Sequence, residues 1–236
     1  MKKHVLCSSL ISRACLSSLK GYGYEPILLP EYNRLQKGVA THPDMLVFIY
    51  KDTFLCTGEY YPTAENELDK LTRLGYSPLL CDVIPSKDYP NDILFNVLHM
   101  GDYIFGLTPH ISREIREIAK RDGVTLVNVK QGYTKCSSVK VSDTALITAD
   151  RTITNAALSC GIDVLRISPA HVRLDGYDTG FIGGASGADD DAVYFCGDVS
   201  HHPDADAIKA FCQKHGKECV SLSDEELTDV GTLFFI

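Results

Sequence analysis

No two of the nine cysteines in this 236-residue chain are spaced Cys-x-x-Cys. An odd, scattered set supports neither a zinc ribbon nor a disulfide scaffold. These thiols are expected to be small core residues in a reducing cytoplasm. No apolar run approaches the roughly 18 residues that suggest a membrane span. The opening "MKKHVLCSSLISRACLSSLKGYGY" is basic at its end, but Ser, Arg and Cys break its apolar stretch. It reads as a first strand and helix, not as a secretory signal. An excess of positive charge is missing too. Lys and Arg number 23 against 31 Asp and Glu, for a net charge of -8. Such a surface repels phosphate backbones and argues against nucleic-acid partners. The Gly-rich "FIGGASG" lacks a P-loop lysine and does not fit G-x-G-x-x-G, so no nucleotide cofactor is expected. No other cofactor is expected either.

What is present is a core's worth of apolar residues, 44% of the chain, and a repeat. The unit is a β-rich run, a polar turn, a second β-rich run, a helical stretch, a Gly and a third apolar run. The four copies begin at "HPDMLVFIYKDT", "NDILFNVLHMGD", "CSSVKVSDTALI" and "GFIGGASGADDDAVYF". "YKDT", "HMGD" and "VSDT" are hairpin turns. Amphipathic helices are predicted over Glu67–Leu74, Ile111–Lys120, Ile153–Ser159 and Ala205–Lys214. Gly75, Gly123, Gly161 and Gly216 fall where a left-handed residue ends each helix. The C-terminal "DVGTLFFI" supplies the opening strand of a fifth copy. The N-terminal strand, helix, Gly and strand supply the remainder. One domain over 1–236 is therefore expected, as a ring of five modules that the two termini complete. "NRLQKGVATHP" has no helical or strand period and is expected to be a loop near a cavity mouth.

Five ββαβ modules around an axis resemble the pentein fold. It is a five-bladed α/β propeller shared by arginine and agmatine deiminases, dimethylarginine dimethylaminohydrolase and amidinotransferases. Three features carry the resemblance at motif level. His42-Pro43-Asp44 is similar to the family's His-x-Asp at the start of an apolar run. Cys136 leads into its blade as the family nucleophile does, although the hydrolases carry theirs near the C-terminus. Gly183-Gly184 in "FIGGASG" is similar to a Gly-Gly motif, with Ile182 and Ala185 where acidic residues are usual.

The resemblance implies a Cys-dependent hydrolase or amidinotransferase acting on a guanidino or related C–N group. In the repeat register Asp44, Asp92 and Cys136 stand just before an inner strand, with Asp178 and Asp229 near the corresponding places. A ring of carboxylates around one thiol calls for a small cation, and a planar guanidinium fits paired carboxylates. Cys136 is the expected nucleophile and His42 the expected acid and base. Asp44 and Asp92 would hold the cation and orient His42. Lys135, Asp178, Gly183 and Gly184 are the expected substrate-binding positions, the glycines through close backbone approach. Two other readings stay open. One is a pentein-like module that binds a small ligand or a partner protein without turnover. The other is metal chemistry at "GDVSHHPDAD", where His201, His202, Asp204 and Asp206 offer ligands.

Overall fold

A computed structural model describes residues 3–236. Its strands form five three-stranded sheets. The first unites both ends of the chain: β1 (Lys3–Ser8), α1 (Arg13–Gly21) and β2 (Tyr24–Leu29) are joined by β15 (Phe234–Phe235). β15 pairs antiparallel with β1 through Val5–Phe235 and Leu6–Phe234. The second sheet follows a short helix, α2 (Pro43–Leu46). It holds β3 (Phe48–Tyr50), β4 (Thr53–Thr57) and β5 (Ser77–Cys81), with α3 (Glu65–Arg73) as its crossover. The third holds β6 (Leu98–Met100), β7 (Tyr103–Gly106) and β8 (Thr125–Asn128), with α4 (Arg113–Asp122). The fourth holds β9 (Ser138–Ser142), β10 (Ala145–Thr148) and β11 (Asp163–Arg166), with α5 (Arg151–Ser159). The fifth holds β12 (Ser186–Ala188), β13 (Ala192–Phe195) and β14 (Glu218–Ser221), with α6 (Ala205–Lys214). In every sheet an antiparallel pair is followed by a parallel one. That is the ββαβ unit read from the repeat.

Local chemistry explains the unit. The β3–β4 and β6–β7 hairpins are closed by two residues each, Lys51-Asp52 and Gly101-Asp102. Lys51 and Gly101 take φ of 51° and 53°, the left-handed conformation that such tight turns require. Helix α4 starts at Arg113, two residues later than its periodicity predicts. Ser112 caps it by accepting the Ile115 N–H at 3.2 Å. It stops at Gly123, φ 71°. Its inward face is Ile115, Ile118 and Ala119, the i, i+3, i+4 stripe of an amphipathic helix.

The apolar core lies between the sheets. Five clusters of buried side chains each join two neighbouring sheets. Helix α3 packs through Leu68 and Leu71 onto Leu6 and Ile27 of the first sheet. Helix α4 packs onto Phe48 and Leu55 of the second. Helix α5 reaches Leu98 and Phe105 of the third, and α6 reaches Val139 and Ile147 of the fourth. Helix α1, through Cys15 and Leu19, reaches Tyr194 and Val220 of the fifth. Each helix thus covers the preceding sheet. All five first strands (β3, β6, β9, β12 and β15) line one central channel of about 700 Å³. Among the described residues no helix is long and apolar enough to cross a membrane.

Candidate functional site

The residues that matter sit where the chain enters the first strand of each sheet. His42 precedes α2, and Pro43 sets the first helical φ. One turn is enough to bring Asp44 to the axis, where its N–H donates to Gly231 O at 3.1 Å. Cys136 lies in a turn ahead of β9. That turn is closed by Ser137 N–H to Tyr133 O, 2.9 Å, and Ser138 N–H to Lys135 O, 3.1 Å.

His42, Asp44 and Cys136 meet. Each offers one ligand-type atom, and these atoms lie within 4.8 Å of one another. Cys136 Sγ donates to Asp44 Oδ2 at 3.0 Å. Asn96 fixes the sulfur from the third sheet. Its Nδ2 donates to Cys136 Sγ at 3.0 Å, and its Oδ1 accepts the N–H of Lys135 (2.8 Å) and of Cys136 (3.2 Å). Thr232 fixes Asp44: the two are 2.7 Å apart, Oγ1 to Oδ2. His42 Nδ1 lies 3.7 Å from Asp229 Oδ1. Asp229 in turn accepts the N–H groups of Phe181 (2.9 Å) and Gly231 (3.0 Å). His42, Asp44, Cys136 and Asp229 are all buried, with Asp44 fully so.

Burial sets the protonation states. It pushes the Cys136 thiol well above its usual range, and the nearby Asp44 and Asp229 charges add to that. It holds His42 down to about 4. It raises Asp44 and takes Asp229 up to about 6. The ligand-free site is therefore a protonated thiol beside a neutral imidazole. Imidazole, carboxylate and sulfur at this spacing can also coordinate a soft divalent ion.

Other expected site residues are arranged differently. Asp92 is buried, but its Oδ2 accepts the Tyr133 O–H at 2.6 Å and it stands outside the trio. Asp178 is exposed on a loop. Lys135 stands between the trio and the central channel, its Nζ donating at 3.2 Å to the Thr232 hydroxyl that itself donates to Asp44. Gly183 and Gly184 let backbone pass close to the site. A Cβ on Gly184 would land on the Asp229 carboxylate, and one on Gly183 on the carbonyls of Lys135 and Ser138. At the His-His segment, His201 is exposed and His202 is buried, its Nδ1 accepting the Asp204 N–H at 3.0 Å. Among the described residues these side chains do not gather into a metal-sized group. His99 lies within β6 instead of the turn beyond it.

Asn96 and Thr232 were not read from the sequence. A signal existed. Asn96, Cys136, Gly184 and Thr232 each stand two residues before a first strand, β6, β9, β12 and β15 in turn. Applying that offset from Cys136 leads to Asn96 and not to Asp92.

A second cavity, about 550 Å³, opens beside His42 and Asp229. It is roofed by Gln36, Lys37 and Gly38 and by Asp175, Gly176 and Tyr177. The "NRLQKGVATHP" segment contributes to this roof, with one 3-10 turn at Lys37–Val39.

Residues 6–234 match a family described as "Family of unknown function (DUF6873)". The chain belongs to that family. No curated protein matches this DUF6873 sequence. Solved structures similar to it include a dimethylarginine dimethylaminohydrolase as its adduct with S-methyl-L-thiocitrulline, at 10% identity and TM-score 0.61, with all of both chains covered. A second is agmatine deiminase from C. jejuni, at 7% identity and TM-score 0.54, covering 94% of this chain and 88% of that one. A third is an amidinotransferase from Microseira wollei, at 8% identity and TM-score 0.55, covering 91% and 77%. The fold is the five-bladed α/β propeller that these pentein-type structures share.

Proposed function

We propose that the protein is a Cys-dependent hydrolase or amidinotransferase acting on a guanidino or related amidine group of a small cation. The observation that carries this is the meeting of Cys136, Asp44 and His42 within 4.8 Å. The structural relatives are hydrolases, deiminases and transferases by name, which fits the same chemistry. The nine unpaired thiols fit a reducing, cytoplasmic setting.

The cation enters through the 550 Å³ cavity, past His42 and Asp229. Asp44 and Asp229 take its N–H groups as carboxylates. Its positive charge offsets the two anions that hold the thiol proton in place, and Cys136 becomes the thiolate. The sulfur then bonds to the central carbon, and the thiol proton passes through His42 to the departing amine. A water, losing a proton to His42, forms the new C–O bond and expels the sulfur, which regains that proton. An acceptor amine in place of water gives amidino transfer. Asn96 donates to the sulfur throughout and steadies its negative charge.

The test is selective alkylation. 2-Chloroacetamidine, a cationic amidine, should modify Cys136 ahead of the other eight cysteines, while neutral iodoacetamide shows no such preference. Asp44→Asn should remove the preference. Release of ammonia or an amine from guanidino compounds should vanish in Cys136→Ser. The second reading, a ligand-binding module without turnover, is favoured by one fact: Cys136 is only 3% exposed, and its sulfur lines neither cavity. Saturable guanidine binding with no adduct and no turnover would select it.

A further inference from the structure

Thr232 is a strained residue at the centre of the molecule. It is 1% exposed, and its φ of 75° lies in the left-handed region. A β-branched side chain rarely adopts that conformation, whereas Gly and Asn adopt it more readily. Gly231, just before it, has the same φ and no side chain. Strain of this kind persists only where the surrounding structure imposes it, and it gathers at functional sites. The backbone is held by the Thr232 N–H on Gly184 O at 2.8 Å and the Leu233 N–H on Ser186 O at 2.9 Å. A Gly or an Asn at 232 could make the same backbone bonds. What threonine adds is a hydroxyl.

Three groups meet that hydroxyl. Lys135 Nζ donates to Oγ1 at 3.2 Å, Asp44 Oδ2 lies at 2.7 Å and Gly183 O at 3.0 Å. An ammonium can only donate, so the hydroxyl accepts from Lys135 and its own proton goes to an acceptor. Asp44 is the nearer acceptor. The chain from Lys135 through Thr232 therefore ends on the same Oδ2 that takes the Cys136 S–H at 3.0 Å. Asp44 is fully buried, and the Asp229 charge acts on it. A buried carboxylate in that position calls for a counter-charge. His42 is held down to about 4 by burial and is neutral. Burial lowers Lys135 to about 8, and Asp44 is the foremost charge opposing that fall, so the ammonium prevails at neutral pH. Lys135 lines the central channel and not the cavity beside His42 and Asp229. It stands behind Asp44 as seen by a cation entering through that cavity.

We propose that Lys135 and Thr232 are positioning residues: the ammonium, acting through the Thr232 hydroxyl, holds the Asp44 carboxylate against the Cys136 sulfur to receive the cation. This deepens the amidine reading and rests on it for the role of Asp44. The strained backbone at Thr232 follows from bringing a hydroxyl to the one point between the two charges.

Thr232→Val keeps the branched shape and removes the hydroxyl, while Thr232→Ser keeps the hydroxyl. Two measurements on the full chain separate this proposal from the amidine reading. The first is the crystal structure of each variant, which needs no activity. Asp44 should swing off the sulfur in Thr232→Val and in Lys135→Met, and stay on it in Thr232→Ser. The second is the rate at which 2-chloroacetamidine alkylates Cys136, divided by the rate for iodoacetamide. Thr232→Val and Lys135→Met should each lower that ratio about tenfold or more, as loss of a charge-assisted hydrogen bond does. Thr232→Ser should stay within about threefold of wild type, a rescue that a purely structural role does not predict. The double variant should fall no further than the more affected single one, because the two residues act along one chain. Lys135→Met decides the matter if Thr232→Val does not fold. Asp44 unmoved in both variants, a ratio that survives both, or additive losses would overturn the proposal. A wild type with no preference for the amidine, but with Asp44 displaced as stated, would remove the amidine reading and leave Lys135 and Thr232 as the residues that place Asp44.

Discussion

At the residue scale, the axis is held by backbone that tolerates no side chain. Gly184 passes so close to Asp229 that a methyl group would displace the carboxylate from the Phe181 and Gly231 N–H groups. Gly184→Ala should therefore cost about 3 kcal/mol or more, as buried hydrogen bonds and packing are lost together. Gly101→Ala is the control. Its φ of 53° is also left-handed, but nothing lies closer than 3.7 Å to a Cβ there, so only the conformational cost of about 1–2 kcal/mol applies. Urea midpoints compare the two. Asp229 also has a pH signature. Its native pKa, about 6, lies above the usual carboxylate value, so the native state holds the extra proton between roughly pH 4 and 6. Acidification through that window stabilises the fold through Asp229. His42 acts in the opposite sense. Its native pKa of about 4 is depressed, so its contribution is present above its usual 6.5 and is lost as pH falls toward 4. In the wild type the two effects oppose each other. Asp229→Asn removes one, and its stability should fall more steeply than wild type between pH 6 and 4. Parallel stability curves across that window would contradict the assignment.

At the element scale, sequence and structure agree where one local interaction decides. Helix α5 begins at Asp150, whose Oδ1 accepts the N–H of Thr152 (2.7 Å) and of Ile153 (2.9 Å). Asp150→Ala should cost about 1–2 kcal/mol in urea unfolding, a full capping loss. Asp204 occupies the same position at α6 and looks the same in sequence, yet it makes no capping bond. Its Oδ2 accepts the Ser168 N–H at 2.6 Å instead, tying α6 to the loop after β11. Asp204→Ala should therefore expose the 167–171 loop to proteolysis without fraying α6, which hydrogen exchange of the two segments can separate. The sheets were legible for a related reason: every blade repeats the same helix and Gly, and four of the five a hairpin turn, so a weak signal is read several times. The axial residues are not repeated. His42, Asp44 and Cys136 were found because a thiol, an imidazole and an acid draw notice. Asn96 looks like any loop amide, and only its offset from β6 gives it away. Asp178 drew notice by its approximate place in the repeat register, and its side chain stays in solvent.

At the scale of the whole molecule, the five cores between sheets make each blade depend on two neighbours. The first blade depends also on β15, which comes from the far end of the chain. β15 contributes few residues but occupies a central place. Leu233, just ahead of it, is 2% exposed, within the cluster that joins the fifth and first sheets. Phe235 lies 4.8 Å, ring centre to ring centre, from both Tyr24 and Tyr194 and so bridges the same two sheets. Gly187 carries no side chain because the Leu233 backbone lies against it. Removing Leu233–Ile236 would strip β1 of its antiparallel partner and leave a two-stranded parallel pair, the weaker arrangement. It would also open one wall of the channel above Lys135. Burial of Leu233 and half-burial of the two phenylalanines together amount to about 4–6 kcal/mol, a large share of the 5–15 kcal/mol that holds a typical domain folded. The truncated chain should unfold at much lower urea and bind a hydrophobic dye in the absence of denaturant. The other four cores do not touch β15 directly, except through Phe234 and Ile236 at the first-to-second sheet boundary. Hydrogen exchange in the truncated protein should therefore quicken first in β1, β2 and β13 and last in β7 and β10. Uniform quickening across all five sheets would instead mean that the ring stands or falls as one cooperative unit.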